Sequence, residues 1–240
     1  MSAIISTQQL TKSFGAFTAV DAITFEVYEG EIFGFLGANG AGKTTALKML
    51  TGLLTPSSGK AMVAGFDVWK YPEQVKKRIG YMSQKFSLYE DLTVRENIRL
   101  FGGIYGLSMS DIRTKTASLL HKLQLEPEAD KLVKSLPLGW KQKLAFSVAL
   151  LHEPKIVFLD EPTSGVDPLT RRQFWELIYE TAHQGVTLMV TPHYMEEAEY
   201  CNRLSMMVDG RIVALDTPGN LKTQYQVKNM DEVFRRIARG

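Results

Sequence analysis

Apolar residues recur along this chain with two periods, and the places where the period changes mark out its elements. Alternation at Ile23, Phe25 and Val27, with polar residues between, predicts a strand with one wet face over Ala22–Val27. Ala3–Leu10 and Glu31–Leu36 read as strands on either side, the latter entered through the turn Tyr28-Glu29-Gly30. The polar stretch Thr11–Val20, which carries Phe14 and Phe17, reads as a loop between the first two. Ala61–Ala64 and Ile79–Met82 are shorter strand signals, with a turn at Thr55–Lys60 and a helix over Pro72–Arg78.

From Thr93 to Leu123 the period lengthens. Val94, Ile98 and Phe101 fall on one helical face, and Ser110-Asp111 is placed to cap a further helix over Ile112–Leu123. No strand-like run appears from there to Lys155; the Leu144/Val148/Leu151 stripe marks one more helix. Ile156–Leu159 is continuously apolar, as a strand covered on both faces of a parallel sheet should be, and Thr187–Val190 is another such run. A helix carrying Phe174, Trp175 and Ile178 separates them. Glu196–Tyr200 reads as helical, and Leu204–Val208 and Arg211–Leu215 flank Asp209-Gly210 as a hairpin. The expected fold is α/β, with a mainly parallel core sheet, an antiparallel β portion at residues 2–36 and a helical insert at roughly 86–153.

Between the strand ending at Leu36 and the helix starting near Ala46 lies Gly37-Ala38-Asn39-Gly40-Ala41-Gly42-Lys43-Thr44-Thr45. It fits the phosphate-loop pattern G-x-x-x-x-G-K-[ST] at every fixed position and in the strand-loop-helix context that pattern requires. Glycines let successive N–H groups converge on phosphate oxygens, and the helix aims its positive end at the same anion. Lys43 would reach the β- and γ-phosphates. Thr44 would offer its hydroxyl to Mg²⁺, which binds through few protein ligands plus substrate phosphates.

Three further strand ends carry chemistry. Ser83-Gln84 follows Ile79–Met82, and a glutamine there can offer its carbonyl to Mg²⁺ or water, or simply lie on the surface. Asp160-Glu161 ends the buried Ile156 run, where open α/β sheets bind ligands; Asp160 can hold the Mg²⁺ shell while Glu161 polarises an attacking water. His193 follows Thr187–Val190, within reach of a γ-phosphate if the two strands are neighbours. Pro137 and Gly139 precede a helix whose N-terminus can bind an anion. Phe14 and Phe17 are each as suited to base stacking as to a core.

Composition narrows the partners. The 240 residues carry 28 basic and 26 acidic side chains, a balance of +2 that argues against a nucleic-acid surface. One cysteine, Cys201, excludes an intrachain disulfide and fits a reducing compartment. Met1–Leu10 lacks the basic start and apolar core of an export signal, and no apolar run approaches the ~18 residues of a membrane span, so a membrane role is expected through a partner.

In order and spacing these motifs resemble the ATP-binding cassette of an ABC transporter over essentially the whole chain. The resemblance implies a single P-loop ATPase domain of the ABC type over residues 1–240, with ATP and Mg²⁺ as its ligands. Phe14 falls at the adenine-stacking position with Val20 beside it, Gly37–Thr45 at the Walker A loop, Gln84 at the Q-loop, and Ile156–Asp160 at Walker B. Glu161 falls at the catalytic glutamate, Ser164–Asp167 at the D-loop and His193 at the switch histidine. Thr44, Gln84 and Asp160 would hold the metal; Lys43, Gln84, Glu161 and His193 would serve catalysis.

One motif departs from the pattern. Where the family has Leu-Ser-Gly-Gly-Gln, this chain has Leu136-Pro137-Leu138-Gly139-Trp140, keeping Gly139 as the nucleotide contact and losing the serine. That variant, with the tail Met230–Phe234, looks like the cassettes of ABC-2-type exporters. The resemblance implies an integral membrane permease as partner, a second cassette completing an ATP sandwich, and a place on the cytoplasmic face of the cell membrane. A regulatory subunit with little turnover and a soluble, non-transport ABC ATPase are the competing readings. Phe86, Leu88, Tyr89, Leu92 and Tyr105 either form the permease's docking side or close the insert's own core.

Overall fold

The computed structural model describes residues 2–84 and 88–239. The chain begins with β1 (Ala3–Phe14), β2 (Phe17–Tyr28), β3 (Ile32–Gly37), α1 (Lys43–Leu50), β4 (Ser58–Val63) and β5 (Phe66–Asp67). Next come α2 (Pro72–Lys76), β6 (Ile79–Met82), α3 (Val94–Ile104), α4 (Met109–Leu123), α5 (Leu138–Ala149), β7 (Ile156–Asp160) and α6 (Pro168–His183). It closes with β8 (Thr187–Thr191), β9 (Arg203–Val208), β10 (Arg211–Asp216), α7 (Pro218–Gln224) and α8 (Met230–Arg239).

Six strands form the main sheet in the order β10-β9-β3-β8-β7-β6, and four form a second in the order β2-β1-β4-β5. In the main sheet every neighbouring pair is parallel except β9 with β10. Both faces are covered, which is why these strands read as unbroken apolar runs. Because successive side chains point to opposite faces, Val157, Leu159, Leu188 and Val190 pack under α3 to α6 with Ile98, Leu144, Phe146, Phe174 and Ile178. Ile156, Phe158, Met189, Phe33 and Phe35 point the other way, onto α1 and the antiparallel sheet, meeting Leu47, Met49, Phe25, Val27 and Val63. Each fully buried side chain of this size contributes about 1.5–3 kcal/mol, so the sheet is held from both sides. A third cluster joins Leu36, Leu204 and Met206 to Leu221, Met230 and Val233 of α7 and α8.

Local chemistry sets the helix starts. Thr93 and Glu96 form a reciprocal capping box on α3, the Thr93 hydroxyl accepting from Glu96 N at 3.2 Å and Glu96 Oε2 accepting from Thr93 N at 2.8 Å. Ser108, not Ser110, caps α4, its hydroxyl accepting from Asp111 N at 3.1 Å; the cap two residues earlier lengthens that helix. Residues 195–200 form a 3₁₀ helix rather than an α-helical turn.

The stretch Thr11–Val20 is not a loop. β1 and β2 run through it as a hairpin whose last pair is Phe14 with Phe17 across Gly15, a glycine at φ 59°. The stretch carries polar residues because this end of the hairpin is wet on both sides. Phe17, for which a core place was one of the two expectations, is 64% exposed for the same reason. Of the suggested docking residues, Leu88 is buried and Tyr105 stacks on His152 with ring centroids 3.9 Å apart, so both belong to the interior of the helical region. Leu92 is half-buried, Tyr89 is exposed, and Phe86 lies outside the described residues.

Candidate active site

Parallel pairing brings the C-terminal ends of β3, β8, β7 and β6 to one edge of the sheet, so the residues that follow each strand meet there. β3 delivers the glycine loop. Gly42, the N-cap of α1, has φ 102°, and a Cβ there would fall on the carbonyl oxygen of Ala19 and lie 2.9 Å from Met207 Cε. Only glycine fits, and the loop is thereby pressed against β2. Ala38, Asn39, Gly40 and Thr44 are exposed, Gly37, Gly42 and Thr45 half-buried, and Ala41 and Lys43 buried.

Lys43 opens α1, and its Nζ donates to the carbonyls of Gly37 at 2.7 Å and Ala38 at 3.1 Å, which curls the loop around the ammonium. Burial pulls the Lys43 pKa below its ordinary value, while the nearby carboxylates of Glu161 and Asp160 push it back up. The first turn of α1 carries no acidic residue, so the helix's positive end is uncompensated. The loop therefore presents a cation, a helix terminus and turned backbone to a single point, which is what an anion needs.

Asp160 ends β7 and is paired in register with Thr191 at the end of β8. The Thr191 hydroxyl donates to Asp160 Oδ1 at 2.9 Å and accepts from Glu161 N at 2.8 Å. Thr44 Oγ1 lies 3.4 Å from the other carboxyl oxygen of Asp160. Burial raises the Asp160 pKa and the charge of Glu161 adds to that, against the lowering effect of the two threonine hydroxyls. An under-compensated buried carboxyl facing a hydroxyl is a pair of hard oxygen donors, and Mg²⁺ takes such donors in small number together with phosphate oxygens and water. The donor set fits that ion.

Glu161 has φ 50°, a left-handed backbone uncommon for a residue with a side chain. Its Oε2 accepts from Gln84 Nε2 at 2.7 Å and lies 3.3 Å from His193 Nδ1. Gln84, Glu161 and His193, read from three separate strand ends, thus meet at one oxygen. The His193 ring is also braced edge-on by Tyr194, at 4.8 Å, and the Arg171 guanidinium lies 3.6 Å from the Tyr194 ring centre.

The remaining sequence candidates lie around this centre. Phe14 is half-exposed at the hairpin tip with Lys12 Nζ 5.2 Å from its ring centre, whereas Val20 is fully buried in the core beneath. Gly139 sits in the first turn of α5, where a Cβ would meet the methyl of Thr170, so close packing of α5 on α6 by itself requires a glycine. Leu138 lines a cavity of about 50 Å³ together with Gln84, Gln142, Glu161, Pro162 and Ser164. Gln142 Nε2 donates to Ser164 O at 3.2 Å, fastening α5 to the segment after Glu161.

Sequence reasoning missed Thr191 and Glu197. Thr191 is singled out only by its register opposite Asp160, and Glu197 only by the fold that buries it beneath His193.

Strand, glycine loop and helix, with Asp-Glu at the end of a nearby parallel strand, define a P-loop nucleotide-binding domain. The family model described as ABC transporter matches residues 20–164, and the chain belongs to that family. Its fold is that of the ATP-binding cassette: a solved structure titled "Structure of ATP binding subunit of ABC transporter" superposes with a TM-score of 0.86 at 28% identity, covering 98% of this chain and 99% of that one. The chain is 50% identical over 221 residues to the protein named "Probable multidrug ABC transporter ATP-binding protein YbhF" of Escherichia coli, covering 92% of this chain but 38% of that protein's length. It is 40% identical over 222 residues to "Nod factor export ATP-binding protein I" of Cupriavidus metallidurans, covering 92% of this chain and 73% of that one. Among the described residues no helix is long and apolar enough to cross a membrane.

Proposed function

We propose that this cassette hydrolyses ATP to ADP and phosphate and so powers an ABC-2-type exporter. The observation that carries the reading is the convergence of Gln84, Glu161 and His193 beside the buried Asp160 and the Lys43 loop. A binding-only site has no need of a carboxylate held between an amide and an imidazole.

In this reading the triphosphate lies on Gly37–Thr45, where Lys43 and the loop N–H groups meet its charge. Mg²⁺, held by Thr44, Asp160 and Gln84, would neutralise phosphate oxygens when bound. Glu161 orients a water in line with the γ-phosphorus and takes its proton as the bond to the ADP oxygen breaks, while His193 contacts the γ-phosphate. Gln84 Nε2 occupies Glu161 Oε2 at 2.7 Å, so the water that docks there must share or displace that amide. Phe14 stacks on the adenine.

The names of both relatives, one multidrug and one export, support an exporter over an importer. The permease would be a separate partner or another part of a longer chain, with the cassette, a single domain over residues 1–240, on the cytoplasmic face and no nucleic acid involved. The helices between β6 and β7, at roughly 86–153, would form its helical subdomain. A second cassette would complete each ATP site through its own Leu136–Trp140 segment, with Gly139 nearest the phosphate.

The deciding experiment is Glu161→Gln in the purified protein with Mg²⁺ and ATP. Turnover should fall by roughly 10²–10⁴-fold, the usual share of a general base, with ATP affinity retained. A variant as fast as the parent would remove Glu161 from the role. A parent that binds ATP but does not turn it over would favour a regulatory subunit, the reading the missing signature serine keeps open.

A further inference from the structure

Glu197 carries no role in the mechanism above, yet it is 1% exposed and both of its carboxyl oxygens are used. Oε1 accepts from Thr163 Oγ1 at 2.5 Å and from Trp175 Nε1 at 3.0 Å. Oε2 accepts from the backbone N–H of His193 at 3.2 Å and, more weakly, of Tyr194 at 3.4 Å. Thr163 stands two residues past Glu161, in a turn where Ser164 N donates back to Glu161 O at 3.2 Å. Trp175 is on α6 and is itself buried.

One side chain thus joins three segments: the turn leaving Glu161, the helix α6, and the loop that carries His193. An apolar residue at this depth would pack without the desolvation that a carboxyl group suffers, so stability alone does not call for a glutamate. What a carboxyl group supplies here is four acceptor positions in a fixed geometry. From this we infer that Glu197 is a positioning residue, setting where the His193 backbone, and with it the imidazole, stands relative to Glu161. The inference rests on the reading of Glu161 and His193 as the reacting pair for its effect on rate, but not for its effect on geometry.

The isosteric substitution Glu197→Gln is the informative one. Whichever way the amide is turned, its NH₂ faces donors: either the backbone N–H groups of His193 and Tyr194, or Trp175 Nε1. An orphaned buried donor costs enough to move the loop, so kcat should fall roughly tenfold or more. Lys43 and Phe14 are untouched, so ATP affinity should stay within about twofold. Thr163→Val and Trp175→Phe each cut one arm and should give smaller losses in the same order of parameters.

Two readouts separate positioning from general softening of the fold. With histidine-selective isotope labelling, His193 is one of only four histidines and is assigned by its loss in His193→Ala; its ring resonances should shift in Glu197→Gln while those of His121 and His183 stay. In a His193→Ala background, adding Glu197→Gln should cost no further turnover. Unshifted His193 resonances, or a rate loss that adds fully in the double variant, would overturn the inference. If the parent proves not to hydrolyse ATP, the functional reading fails while the resonance measurement still decides this one.

Discussion

Thr191→Val should cost the protein both stability and turnover. Valine keeps the shape and fills the same space on β8, so no cavity opens, but the hydroxyl that bridges β8 to β7 is gone. Two bonds at a fully buried position are lost: one from Glu161 N at 2.8 Å and one to Asp160 Oδ1 at 2.9 Å. A neutral buried bond is worth about 0.5–1.5 kcal/mol and one to a charged group about 1.5–3, which sums to roughly 2–4.5 kcal/mol. For a chain of this size each kcal/mol moves the melting temperature by about 2–4 °C, so Thr191→Val should melt roughly 4–18 °C lower. Turnover should fall as well, because the Glu161 N–H bond holds a left-handed backbone in place at φ 50°. Thr191→Ser, which keeps the hydroxyl and drops only a methyl, should restore most of the rate. Scanning calorimetry and steady-state ATPase assays on the two variants decide it. Equal melting of Thr191→Val and parent, within a degree or two, would show that the bridge is not what fixes Glu161.

Phe14→Ala should weaken ATP binding by roughly 5–150-fold, the loss of one stacked base, while leaving inorganic tripolyphosphate binding unchanged; titration calorimetry with both ligands distinguishes this from a disturbed loop. Asp160→Asn should abolish Mg²⁺-dependent turnover yet raise the melting temperature of the ligand-free protein at pH 7. Burial has lifted the Asp160 pKa above its ordinary 3.8, so the folded state binds the proton more tightly and stability drains as pH rises through that window. The gain from asparagine should therefore shrink as melting is repeated toward pH 4. Glu161→Gln with Mg²⁺ and ATP should remain largely monomeric at low micromolar concentration by ultracentrifugation. Pro137 has neither hydroxyl nor N–H to give a partner's γ-phosphate, a bond worth about 1.5–3 kcal/mol; a tight dimer would mean that Trp140 or its neighbours replace it.

The parts legible in the sequence are those in which one residue type is forced by backbone or charge. Gly42 is such a case, since any Cβ strikes Ala19, and so is the Asp160-Glu161 pair closing an apolar strand. Thr191 was not legible, because a threonine ending a strand is ordinary until the register with Asp160 is known. Glu197 is one of three glutamates in five residues, and only folding selects which of them is buried. The hairpin end at Phe14 and Phe17 was hidden for the opposite reason: strands held by cross-strand backbone bonds, with solvent on both faces, leave no apolar alternation to read.

β3, which carries the phosphate loop, is bonded on one side to β8 and on the other to β9. Both neighbours come from the last quarter of the chain, so during synthesis the glycine loop is made early and its frame late. Until Thr191 has left the ribosome the strand Ile32–Gly37 has two open edges, and until Val208 has followed it keeps one; edges of that kind invite pairing with other chains. The nascent protein therefore needs protection longest at the segment that will hold its nucleotide, and a chain truncated before β8 keeps every residue of the phosphate loop and neither of the strands that flank β3.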